Sequence, residues 1–357
     1  MNYINVSVHE NARDSRAFRL KVYKAFLLLK FMKIHLPNSA WIGNIDPFLR
    51  SFESTEKSHL DITSHHEWVS VHPCVLCMIV ALGLAVQNSG GKINYQKMTA
   101  SSKHYFERIG VFKLLNLDSE MSVTEHEPSG RFIELTRIKN SEDLNKFITN
   151  IIPLLHSEPE QVEPIKYVIS ELVRNVFEHS YSKDGALVCA QFYNRSKIIR
   201  IGVVDIGIGI KKSINNAYPE AKSDLFAIKL ALTPGVTGTT KRIGGTESNA
   251  GAGLFFIKSI AKVNRDFFMI YSGNTMYKLL KSPSAREVKL NANPFEDRHS
   301  KNDDFPYWNG TVVAIDLSIK KNKNFEDFLA LIREAYRKDI RELNKIKFKK
   351  PKFTNGD

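Results

Sequence analysis

The chain has 357 residues, 43% of them hydrophobic and 25% charged, which is long enough for two domains with a core in each. Its net charge of +13 invites an anionic partner, and Arg337, Lys338, Arg341, Lys345, Lys347, Lys349 and Lys350 concentrate that charge near the end of the sequence. No base-reading motif accompanies them, three cysteines exclude a disulfide framework, and no apolar run is long enough for a bilayer, so a cytoplasmic protein without membrane association is expected.

Residues 15–35 read as an amphipathic helix carrying Phe18, Val22, Phe26, Leu29 and Phe31. Residues 38–45 read as loop or strand, and 58–62 as a short strand. An apolar helix over 75–87 opens at Pro73, a first-turn position that needs no N–H. Cys74 and Cys77, preceded by His72, form a C-x-x-C without a second pair or fourth ligand nearby. They read as helix-packing thiols rather than a zinc or redox site. Gly90-Gly91 ends the helix, a strand follows at 92–95, and a helix over 101–109 stops at Gly110. This alternation predicts an α/β unit.

Residues 157–163 are polar and acidic and mark a candidate domain boundary. A helix over 164–179 leads into strands at 186–193 and 198–204. The glycine-punctuated stretch 210–250 reads as an irregular lid. A helix at 254–263 and strands at 267–271 and 311–317 complete the pattern. Residues 282–306 read as an insertion, and 325–346 as an amphipathic terminal helix. The expected units are a helical extension at 1–45, domains at 46–156 and 157–320, and a basic helix and tail at 321–357.

Three segments carry chemistry. Glu171, Asn175 and His179 step four residues apart, so they stack along one flank of a helix whose other flank holds Val168, Leu172 and Val176. Asp205, Gly207 and Gly209 form a D-x-G-x-G turn directly after a strand. Its carboxylate can accept from an exocyclic amine, and its glycines let backbone approach a flat ring. Gly251 and Gly253 lead into a helix N-terminus, where free N–H groups suit phosphate. No strand immediately precedes them, which disfavours a Rossmann turn, and no G-x-x-x-x-G-K-[ST] occurs, which excludes a Walker loop.

In this order the boxes resemble the GHKL superfamily of ATP-binding domains, shared by gyrase, a heat-shock chaperone, histidine kinases and a mismatch-repair ATPase. The resemblance covers about 150 residues, including a late strand that begins Gly310-Thr311. It implies a Bergerat-type α/β sandwich, a mixed sheet with helices on one face. It also implies ATP and Mg²⁺ as ligands. Asn175 is then the metal ligand and Glu171 the general base. Asp205, supported by Thr311, receives the adenine amine, with Gly207 and Gly209 against the ring. Gly251 and Gly253 line the phosphates. Thr246, Ser248 and Asn249 make lid contacts, and Lys241 and Arg242 neutralise the γ-phosphate or are merely solvated. His179 touches phosphate or packs the helix end.

The run Asn175-x-x-Glu178-His179 is most similar to the anti-sigma-factor serine kinases. His65-His66 lacks long flanking helices, which argues against an autophosphorylating histidine kinase. The stretch from Leu60 through His72-Pro73-Cys74 to Tyr105–Phe112 resembles a STAS-like regulatory domain. Its phosphorylatable serine is replaced here by the His72, Pro73, Cys74 segment. Three functions follow. The first is a slow ATPase switch acting on a regulatory protein partner. The second is a protein-serine kinase for a STAS-type partner. The third is a nucleic-acid-binding or scaffolding protein with structural nucleotide, binding through the basic tail. Homodimerisation is left open.

Overall fold

The computed structural model describes residues 32–52, 59–118, 132–154, 159–238, 253–283, 288–318, 329–330, 332–338 and 340–341, with side chains undescribed at 150–161. These residues form an α/β molecule.

The first described strands are β1 (Met32–Leu36) and β2 (Ser39–Ala40), followed by a short helix α1 (Asp46–Arg50). Next come β3 (His59–Ser64), β4 (Ser70–Val71), helix α2 (Pro73–Asn88) and β5 (Lys92–Tyr95). Strands β1, β3 and β5 form a parallel sheet in that order, and β2 pairs with β4 alongside. The amphipathic helix expected over 15–35 meets a strand at its end, because Met32, Ile34 and Leu36 alternate inward at a period of two; residues 1–31 lie outside the described residues.

Helix α2 opens as its sequence predicts. Pro73 holds the first position, and His72 caps it by accepting from the Cys74 N–H at 3.2 Å. Every residue from Pro73 to Leu84 is buried, as befits a helix apolar all round. Two short helices follow, α3 (Lys103–Arg108) and α4 (Val111–Leu114). Gly110 turns the chain between them at φ +87°, a value side-chain-bearing residues rarely adopt.

The second half contains β6 (Phe132–Ile138), α5 (Ser141–Leu154), α6 (Pro159–His179), β7 (Ala186–Tyr193) and β8 (Ile198–Asp205). Then come α7 (Gly209–Asn215), α8 (Asp224–Ala231), α9 (Gly253–Asn264), β9 (Phe268–Gly273) and β10 (Thr275–Leu279). Strands β11 (His299–Asn302) and β12 (Trp308–Ser318) complete a seven-stranded sheet, ordered β11-β10-β9-β12-β8-β7-β6.

Each neighbouring pair in this sheet is antiparallel, where a mixed sheet was expected. Both faces are covered, where helices on one face were expected. Alternate residues divide cleanly: Ile199, Ile201 and Val203 face the core beneath α5–α9, while Val204 and Gly202 face α2. Gly202 is essential to that second contact, since a Cβ there would lie 2.4 Å from the Cys74 backbone. Cys74, Cys77 and Cys189 are buried thiols at this junction, in keeping with a packing role. A polar stitch crosses it too. Asp316 of β12 lies 3.4 Å from His72 and 3.3 Å from Arg200, whose guanidinium stacks on Trp41 and Tyr193. Burial holds the His72 imidazole below its ordinary pKa, with Asp316 opposing.

Several expected boundaries move. Strand β6 and helix α5 lie upstream of residue 157 yet belong to the large sheet and its helical layer. Helix α6 starts at Pro159 and takes Pro164 within it; buried Val162 and Ile165 anchor the turn that Pro164 weakens. The stretch 210–250 contains α7 and α8, and residues 239–252 lie outside the described residues. The 282–306 insertion supplies β11, which pairs with the unforeseen β10. Among the described residues no helix is long and apolar enough to cross a membrane.

Candidate functional site

The flank of α6 that carries the polar triplet borders a cavity of about 350 Å³. Val168, Leu172 and Val176 are buried beside the triplet, Leu172 and Val176 also lining the cavity, and this packing fixes the helix's rotation so that Glu171, Asn175 and His179 face the opening. Asp205 and Thr311 enter from the sheet, Gly209 from the start of α7, Gly253 from the start of α9, and Thr237 and Gly238 from the segment after α8.

Asp205 is the most constrained member. It is 3% exposed and accepts from the Gly207 N–H at 2.8 Å. It pairs in register with Thr311, whose backbone and hydroxyl also bond its carboxylate. Burial raises its pKa to about 7, against the downward pull of those hydrogen bonds. Its carbonyl accepts from the Trp308 indole at 3.2 Å. Gly310, at φ +107°, permits this packing, since a Cβ would lie 2.2 Å from that carbonyl. The register of β12 shifts between Trp308 and Thr311, a bulge that re-aims Thr311 toward the cavity.

Gly207 takes a different part from the one expected. It does not line the cavity; a Cβ there would meet the Ser180 carbonyl at 2.1 Å, so it lets the β8–α7 turn close onto the end of α6. The Ile208 N–H donates to that same carbonyl at 2.8 Å. Gly209 does line the cavity, at φ +76°.

Glu171 sits 20% exposed on its side chain and pairs with Arg174 at 2.5 Å. Burial raises its pKa, Arg174 opposes, and Glu178 adds to the rise. One turn on, Asn175 has a buried amide nitrogen with no hydrogen-bond partner. Gly253 faces both: a Cβ there would stand 2.9 Å from the Glu171 carboxylate and 3.6 Å from the Asn175 amide. His179 lies 3.7 Å from Glu178, and burial lowers its pKa, which favours the neutral imidazole.

Four expected contributors, Thr246, Ser248, Asn249 and Gly251, fall outside the described residues, as do Lys241 and Arg242. Tyr167, Arg174, Ser213, Thr237 and Arg333 line the cavity without having been singled out for it. Tyr167 was the most accessible from sequence, since it lies four residues before Glu171 on the same helix flank.

An Mg²⁺–nucleotide ligand suits this residue set. Mg²⁺ keeps most of its water and takes one or two protein oxygens beside the substrate's phosphates, so it needs no protein cage. Among the described residues no three His, Cys, Asp or Glu side chains form one. The Asn175 amide, whose nitrogen has no hydrogen-bond partner, has its oxygen beside Gly253, 3.9 Å from where a Cβ there would stand. No protein-family model matches the chain, and no curated protein matches its sequence.

Proposed function

We propose that this chain binds Mg²⁺·ATP in the cavity between α6, β8, α9 and β12 and hydrolyses it slowly as a switch on a protein partner. One observation carries the reading. Residues separated by up to 140 positions, Glu171, Asn175, Asp205, Gly253 and Thr311, line a single cavity, and they are among those the GHKL resemblance names. On this reading the large sheet and its helical layer are a Bergerat-type domain, and β1–β5 with α2–α4 its STAS-like companion.

The parts then act as follows. The Asp205 carboxylate accepts from the adenine amine, with Thr311 holding the carboxylate in place. Asn175 holds the metal, and the N-terminus of α9 presents its N–H groups to phosphate. Bound Mg²⁺ supplies charge neutralisation at the phosphates. Glu171, its basicity lifted by burial, takes the proton from the attacking water.

Single-turnover assays with γ-labelled ATP test this. Glu171→Gln is expected to retain nucleotide binding while turnover drops about a hundredfold or more. Unchanged turnover removes Glu171 as the base. Label that appears on a protein rather than as free phosphate contradicts water as the acceptor.

A further inference from the structure

Residues 329–330, 332–338 and 340–341 are helical, within the terminal helix expected over 325–346, and they reach the same cavity. Leu329 and Ile332 are buried in the core beneath the helical layer. Tyr336 packs against Phe255 and Phe256 of α9, with ring centroids 6.1 and 5.8 Å away. These contacts dock the helix onto the element whose glycine-led N-terminus faces Glu171 and Asn175. Arg333, next to Ile332, lines the cavity.

The cavity is electrically polar along its length. Asp205 lies at one end, beside the α6 terminus. Among the described lining residues the arginines are Arg174 and Arg333, and both act on the Tyr167 hydroxyl near Glu171. Along α6, Tyr167 and His179 are separated by about 18 Å of helix rise, so the two ends are distinct places. A base positioned to activate a nucleophile stands beside the phosphate under attack. The cationic end is therefore the end for the terminal phosphate.

We propose that Arg333 binds the terminal phosphate of the nucleoside triphosphate and makes the site distinguish triphosphate from diphosphate, an assignment that rests on the nucleotide-site reading above. A guanidinium presents a planar fork of donors that matches phosphate oxygens. This moves Arg333 out of the solvated basic tail, where its sequence neighbours place it, and links the terminal helix to the nucleotide's phosphate state.

The test is calorimetric titration of the full chain, in Mg²⁺, with the β,γ-imido analogue of ATP and separately with ADP. Arg333→Ala is expected to weaken the triphosphate analogue about 10- to 100-fold while ADP shifts by about twofold or less. Arg333→Lys recovers part of the difference, and carries the same comparison should the alanine variant melt below the working temperature. Equal loss for both nucleotides, or no loss for either, overturns the assignment and leaves the site reading standing. Wild-type protein that binds neither nucleotide overturns both.

Discussion

Among single residues, burial gives Asp205 a direct part in the site's response to pH, beside Glu171 and His179. Its pKa of about 7 in the folded protein stands above the ordinary 3.8 because burial disfavours the charge. Such a group favours the folded state most below its unfolded pKa, and that contribution is lost as pH rises toward 7. Between pH 5 and pH 7 the loss amounts to about 2 kcal/mol. Asp205→Asn is expected to reduce the pH dependence of urea unfolding between the two values by about that amount, leaving the part contributed by Asp266, pushed up to about 6 by burial; an unchanged slope assigns the pH dependence to other groups. Binding of an amine stabilises the carboxylate, so nucleotide binding near pH 7 is expected to release a proton. The measured heat then varies with the buffer's ionisation enthalpy in wild type and not in Asp205→Asn.

Two glycines of similar sequence character have opposite consequences at this scale. At Gly207 an added Cβ meets the Ser180 carbonyl, which is backbone and cannot yield. At Gly253 it meets the end of the Glu171 carboxylate, which can turn away. Gly207→Ala is therefore expected to cost about 2–4 kcal/mol of stability. Gly253→Ala should leave stability within about 1 kcal/mol while weakening nucleotide binding. Thermal melts and titrations of the pair separate these roles, and a stability loss in Gly253→Ala to match Gly207→Ala contradicts them.

At the scale of elements, the sequence was most informative where one periodicity settled the matter. Helix α6 declares both its faces in sequence, and α2 announces its start with His72-Pro73. Strands β7 and β8 were equally clear, being apolar runs flanked by turns, with β-branched residues dominating β8. Strand β10 was missed although Gly273-Asn274 is a hairpin signal and joins Ser272 to Thr275. Lys278 within it disguised it, yet that ammonium is buried and paired with Asp46 of α1 at 2.8 Å. The helices inside the expected lid were hidden by the prolines and glycines around them. Gly310, Trp308 and Arg333 could not be assigned from local pattern, because their roles depend on which strand or helix lies across from them.

At the scale of the molecule, the two halves share one core. Helix α2 is enclosed between the parallel sheet and the large sheet, and Phe52 packs edge-on against Trp308, ring centroids 6.0 Å apart. Trp308 in turn holds the Asp205 carbonyl. Unfolding is accordingly expected as one transition, with tryptophan fluorescence and far-ultraviolet dichroism coincident. Phe52→Ala should lower that single midpoint by about 3–5 kcal/mol of stability. Two separable transitions, with only one shifted, would show that the halves fold apart. The same chain of contacts gives the first half a physical route to the Asp205 end of the cavity.

On the proposed reading, Asp205 and Thr311 read an adenine amine at one end of a nucleotide cavity. Calorimetric titration of the wild-type chain with Mg²⁺·ATP and Mg²⁺·GTP tests it most directly, since guanine carries a carbonyl where adenine carries the amine. One ATP is expected per chain, with GTP weaker by about a hundredfold and the preference lost in Asp205→Ala. No binding of ATP, or equal binding of both nucleotides, contradicts it.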